Sequence, residues 1–221
     1  MQIHTRRLSD KAEEVLETLW EELVEAGRTS LELSHPSLLG QESPLEELCQ
    51  NEFTRVTGDE VELSPNGYLM AEATVRRHRL AEALLTNVLE IRVERVESPA
   101  CGIEHSLREG VDEAVCTLLG HPTRCPHDKP IPPGPCCKAA AEQTGKEILS
   151  LGHLRPGQSG RIAYVQTSEA RKLHKMMAMG VLPGKEIRLI QGFPSYVFQV
   201  GHSQFAVDQE MAHPIHVRVK P

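Results

Sequence analysis

Two stretches decide the fold of this chain: Arg76-Arg77-His78-Arg79-Leu80-Ala81-Glu82-Ala83-Leu84-Leu85 and Ala100-Cys101-Gly102-Ile103-Glu104-His105. Both read as helix. His78 and Glu82 stand four residues apart and share one helical face. Cys101, Glu104 and His105 stand at i, i+3 and i+4 and share another. Five N, O and S donors on two neighbouring helices could close around one or two divalent metals. Thiolate and imidazole supply affinity for late transition metals, and carboxylates balance the charge. Glu14 and Glu17, at i and i+3 on an earlier helix, could add further carboxylates. Taken singly, each spacing also fits a solvated helix face or a surface pair.

Outward from these stretches the chain reads as alternating helix and strand. A first helix runs from Ser9 to about Ala26, capped by Ser9, with Val15, Leu16, Leu19 and Leu23 as its apolar stripe. Residues 28–62 have little periodicity; a short helix from Ser43 to Cys49 is expected. Phe53 to Leu63 reads as a hairpin turning at Gly58, a candidate wing. Ser64-Pro65-Asn66-Gly67 opens a long helix from Tyr68 to about Leu89. Another helix is expected from Pro99 to Leu119, on the spacing of Ile103, Leu107, Val111, Val115, Leu118 and Leu119. A proline-rich loop covers residues 121–137, and a short helix or linker covers residues 139–147. Beyond Leu151 short strands follow, at 160–166, 186–191, 196–200, 204–207 and 215–219, interrupted by a helix at 168–179. Gly and Pro punctuate them as in a small β-barrel. Met176, Met177 and Met179 read as core of that barrel.

The composition narrows the class. The chain has 221 residues, 39% of them hydrophobic and 25% charged, which suits one to three soluble globular units. No apolar run approaches the roughly 20 residues of a membrane helix, and no signal peptide is evident. A cytoplasmic protein without membrane insertion is expected. In a reducing compartment the six cysteines suit buried thiols or metal ligands rather than disulfides. No nucleophile–base pair, phosphate loop or cofactor fingerprint points to an enzyme.

A second group of donors falls in the proline-rich loop and its flanks: Cys116, His121, Cys125, His127, Cys136 and Cys137. It matches no fixed zinc-finger spacing. It could hold Zn2+ or an iron–sulfur centre, or be a stiffened loop with incidental thiols.

The words around the donors resemble a known family. Residues 76–85 and 100–105 resemble the two metal-ligand motifs of the diphtheria-toxin-repressor family of iron- and manganese-dependent transcriptional regulators. Residues 64–67 resemble its turn between wing and long helix, and His121 to Pro132 the stretch that closes its dimerisation domain. Leu154 to Ile162, Arg171 to Gly184, Gln199-Val200-Gly201 and Phe205 to Asp208 resemble FeoA-type domains. The resemblance implies an α+β architecture in three parts. These are a reduced winged helix-turn-helix (1–67), a helical metal-binding dimerisation domain (68–148) and an SH3-like β-barrel (149–221). It implies a homodimer that, loaded with Fe2+ or Mn2+, binds operator DNA and regulates metal homeostasis as a repressor. By position, Cys101, Glu104 and His105 resemble the primary-site ligands, and His78 and Glu82 the ancillary ones. Glu97 sits where iron-sensing relatives place a histidine. Glu14 falls where those relatives have methionine and manganese-sensing ones aspartate, and Glu17 matches a further carboxylate of the manganese branch. The thiolate of Cys101 tips the choice toward Fe2+ over hard Mn2+.

Charge opposes the DNA-binding part of this expectation. Residues 1–67 carry fifteen acidic and five basic side chains. Residues 29–64 hold Arg55 alone against eight acids. DNA affinity draws on Lys and Arg neutralising phosphates, so only Arg6 and Arg7, with Arg76, Arg77 and Arg79 nearby, could compensate. The alternative is a divergent metal sensor or carrier that acts on a protein partner through its FeoA-type domain.

Overall fold

The computed structural model describes residues 8–108, 110–143, 148–167 and 169–219. They form two compact units, dividing between His78 and Arg79.

The first unit contains α1 (Asp10–Leu19), β1 (Leu31–Glu32), α2 (Glu42–Gln50), β2 (Thr54–Thr57), β3 (Glu60–Leu63) and the start of α3 (Pro65–Asn87). The Ser9 hydroxyl accepts from the Ala12 amide and caps α1. The helix continues as a wider π-type turn over Trp20–Glu25. Only a short 3-10 turn, Pro36–Leu38, stands between β1 and α2. The sheet order is β1-β3-β2, antiparallel throughout, with Gly58 at φ +63° in the hairpin turn. This is a reduced winged helix. Leu16, Leu19, Leu48 and Val61 are fully buried in its core. Gly67 is required: a Cβ there would lie 1.8 Å from the Phe53 carbonyl oxygen.

The second unit continues α3 and adds α4 (Glu97–Glu104), α5 (Val111–Leu118) and α6 (Pro135–Gln143). The single helix expected from Pro99 to Leu119 is therefore two. The chain turns after Glu104, where Ser106 and Leu107 amides bond back to Ile103 and Glu104 carbonyls. Gly110, at φ +86°, then starts α5. A left-handed residue cannot continue a right-handed helix, and the turn places Leu107 in a core with Ala81, Leu85, Val96 and Ala100.

Six strands follow: β4 (Ile148–Ser150), β5 (Ser159–Val165), β6 (Glu186–Gln191), β7 (Tyr196–Val200), β8 (Ser203–Val207) and β9 (Ile215–Val219). Helix α7 (Ala170–Ala178) follows β5, and α8 (Gln209–Ala212) follows β8. The antiparallel order is β4-β9-β5-β6-β7-β8. Alternate residues face inward, as Ile187 and Leu189 do on β6 and Ile215 and Val217 on β9. Met176 is fully buried among them, so the methionines serve the core. Leu80, Ala83, Cys116, Leu119, Cys125 and Ile131 belong to the same apolar cluster, so helices and sheet share one interior. No helix among the described residues is long and apolar enough to cross a membrane.

Candidate metal centre

Within the second unit, α3 and α4 carry the donors. Glu82 is 3% exposed, Glu104 0% and His105 8%. A carboxylate withdrawn from water costs several kcal/mol unless it is paired or bound to a cation. Helical spacing explains part of the grouping: Glu97, Cys101 and Glu104 lie at i, i+4 and i+7 along α4. His105 is its capping residue, with Nε2 3.5 Å from Glu104 Oε1. Cys101 is half-buried and Glu97 exposed.

Glu82 has partners that spacing did not suggest. His127 Nδ1 lies 2.6 Å from its Oε1. The Cys125 thiol also bonds to it, and burial, reinforced by that carboxylate, pushes the thiol up to about 11. Glu82, Cys125 and His127 offer ligand atoms within 4.8 Å of one another. The loop reaches α3 because Arg79 donates to the Pro130 carbonyl at 2.6 Å, Ile131 is buried, and the Cys125 amide bonds to the Lys129 carbonyl. The expected loop group is thus divided. Cys125 and His127 go to Glu82, while Cys116, His121, Cys136 and Cys137 gather elsewhere in the unit.

The donors fit a divalent metal. Buried carboxylates, an imidazole and a thiol together suit Fe2+ and its neighbours. The structure thereby joins Glu82 to residues of a loop some 45 positions away, a pairing that no local spacing signals.

The first unit places its own candidates. Glu17 Oε1 stands 3.6 Å from His78 Nδ1, both half-buried, and Glu14 is exposed.

The same unit corrects the expected basic surface. Arg76 and Arg77 are buried, as is Arg79 in the second unit. Arg77 pairs with buried Glu13 at 3.0 Å and donates to Thr74. These guanidiniums are used for packing because α3 is buried along this stretch, which a run of arginines in sequence does not reveal. Arg6 and Arg7 lie outside the described residues. The outward positions of α2 are Glu42, Ser43, Glu46 and Gln50, and the hairpin exposes Arg55 beside Asp59, Glu60 and Glu62.

Residues 64–133 match the family model described as iron dependent repressor, metal binding and dimerisation domain. Residues 149–219 match the FeoA domain. The iron-dependent repressor IdeR of Mycobacterium leprae is 29% identical over 95% of this chain and 97% of its own length. The diphtheria toxin repressor of Corynebacterium diphtheriae is 31% identical over 75% of this chain and 71% of its own. The crystal structure of T. acidophilum IdeR is 25% identical, covering 98% of this chain and all of its own, at a TM-score of 0.46. On these similarities in sequence, the chain belongs to the diphtheria toxin repressor family and carries a C-terminal FeoA domain.

Proposed function

We propose that the chain is a metal-dependent transcriptional regulator of metal homeostasis, organised as winged helix (1–67), metal-binding dimerisation domain (68–148) and FeoA-type barrel (149–221). The observation that carries this reading is the burial of Glu82, Glu104 and His105 inside the segment matching the repressor metal-binding model.

Cys101, Glu104 and His105 are assigned as primary ligands, and Glu82 with His78 as ancillary ones. Glu14, Glu17 and Glu97 are proposed as supporting carboxylates on the resemblance alone. A bound Fe2+ or Mn2+ supplies positive charge that offsets Glu82 and Glu104. His127 holds Glu82 by its Nδ1 contact, and Cys125 donates to the same carboxylate. The Cys101 thiolate favours Fe2+. A homodimer is part of the proposal, on the resemblance to the family alone.

Operator binding is tested by mobility shift on the chain's own promoter, with and without Fe2+ or Mn2+, across a salt series. A metal-dependent shift that weakens with salt is expected. The acidic outward positions of α2 favour one competing reading, a metal sensor acting on a protein partner through the FeoA-type domain. No shift from a folded dimer that still binds metal by calorimetry would select it.

A further inference from the structure

Four donors in the second unit remain outside the proposed regulatory site. Cys116 lies in the last turn of α5, and His121 follows that helix at φ +57°. Cys136 and Cys137 occupy the first turn of α6, behind Pro135. Cys116 Sγ is 3.5 Å from Cys137 Sγ and 3.6 Å from His121 Nδ1. Cys136 Sγ is 3.9 Å from Cys137 Sγ. All four ligand atoms lie within 4.8 Å of one another.

These spacings are those of a tetrahedron around one small ion. With Zn–S of about 2.3 Å and Zn–N of about 2.0–2.1 Å, tetrahedral edges come to about 3.8 Å between sulfurs and about 3.5 Å between sulfur and nitrogen. An iron–sulfur cluster spreads its four ligands over two or more irons, so ligands on different irons stand farther apart than the four donor atoms here. A disulfide needs sulfurs at about 2.05 Å, and none joins these cysteines. The two α6 thiols sit at a helix N-terminus, where the backbone dipole favours negative charge.

We propose that Cys116, His121, Cys136 and Cys137 form a closed structural site for a thiophilic divalent ion, Zn2+, separate from the regulatory metal. The site clips α5 to α6 across the proline-rich loop. That loop carries Cys125 and His127, which bond to Glu82. Cys116 is itself part of the interior shared with the barrel, and the His121 ring packs edge-on against Tyr164 on β5, centroids 5.0 Å apart. The ion thus secures the loop against both the helices and the sheet. With four protein ligands and no open position, it has a structural rather than a catalytic coordination.

The test uses the full chain, purified reduced and without oxygen, and reads metal content and spectra rather than DNA binding. One zinc per chain should survive dialysis against a chelator that removes Fe2+ and Mn2+. Replacing it by Co2+ should give the intense visible bands of tetrahedral cobalt and a sulfur-to-cobalt charge-transfer band in the near ultraviolet. The half-exposed position allows Cys136→Ser to be made with little risk to the core. In that variant the charge-transfer intensity should drop and the zinc be lost to the chelator, with the far-ultraviolet circular dichroism retained. Cys49→Ser, in the first unit and outside both donor groups, should leave the bands unchanged. The proposal is overturned by a chain that keeps no zinc, by weak octahedral cobalt spectra, or by charge-transfer intensity that is unchanged in Cys136→Ser. A Cys116–Cys137 disulfide in the anaerobically purified chain, seen by mass spectrometry, also overturns it.

Discussion

Glu82 on α3 and His127 in the proline-rich loop meet at 2.6 Å, carboxylate oxygen to ring Nδ1. Glu82 is almost wholly buried, so the loop supplies the polar partners its carboxylate needs away from water. A residue that orients a metal-binding carboxylate shapes affinity without touching the ion.

His127→Ala should therefore weaken Mn2+ binding by about 10- to 100-fold with the fold intact. Titration calorimetry on the dialysed chain measures it, with circular dichroism as the control. Unchanged affinity in a folded variant would remove His127, and with it the loop, from the account of the metal centre.

Arg77→Ala tests whether the arginines of α3 are structural. The Arg77–Glu13 pair is buried on both sides, and breaking such a pair leaves an uncompensated charge, at a cost of about 3–5 kcal/mol. The expected result is a large fall in the melting temperature of the winged-helix unit. A variant of normal stability whose DNA affinity falls instead, with a salt slope smaller by about one, would make Arg77 a phosphate contact.

Gly120 has no room for a side chain. It sits at φ +76°, and a Cβ would lie 1.7 Å from the Val165 carbonyl oxygen. Gly120→Ala combines left-handed strain with a backbone clash and should cost more than about 2 kcal/mol. Urea unfolding reports it. A loss of only a few tenths of a kcal/mol would mean that the approach of loop and β5 is looser than described.

The barrel should lose stability in mild acid. His216 on β9 stacks on Tyr164 at 4.5 Å, and burial pulls its imidazole below the ordinary range. The folded value lies below the unfolded one of about 6.5, so the neutral ring favours the fold. That contribution is present above the unfolded value and fades as pH falls through the folded one. Melting temperature should decline as pH drops below about 6.5, and His216→Gln should flatten the decline. An equally steep decline in that variant would assign the acid sensitivity to other groups.

Several elements were legible because their signals are local. The Gly58 hairpin, the α3 start after Ser64-Pro65 and strands β6, β7 and β9 all follow from turn chemistry and period-two alternation, which act between near neighbours. Helical spacing in the same way put His78 and Glu82 on one helix, α3, and Cys101 and Glu104 on another, α4, with His105 at its end. The break between α4 and α5 was missed because the apolar spacing runs on through Leu107 and Val111. Only the left-handed Gly110 and the burial of Leu107 reveal that two helices share the pattern.

What the sequence by itself determined is therefore the inventory: which helices and strands form, which donors share a helix face, and that an acidic N-terminal part precedes a metal-binding one. What only the tertiary structure decided is the partition of that inventory. It sent Cys125 and His127 to Glu82 and drew Cys116, His121, Cys136 and Cys137 into a separate cluster. It also buried Arg76, Arg77 and Arg79. The physical reason is range. Helix and strand periodicities are set by bonds between residues a few positions apart, whereas a loop residue finds its partner through chain closure and burial, whose outcome no local spacing records.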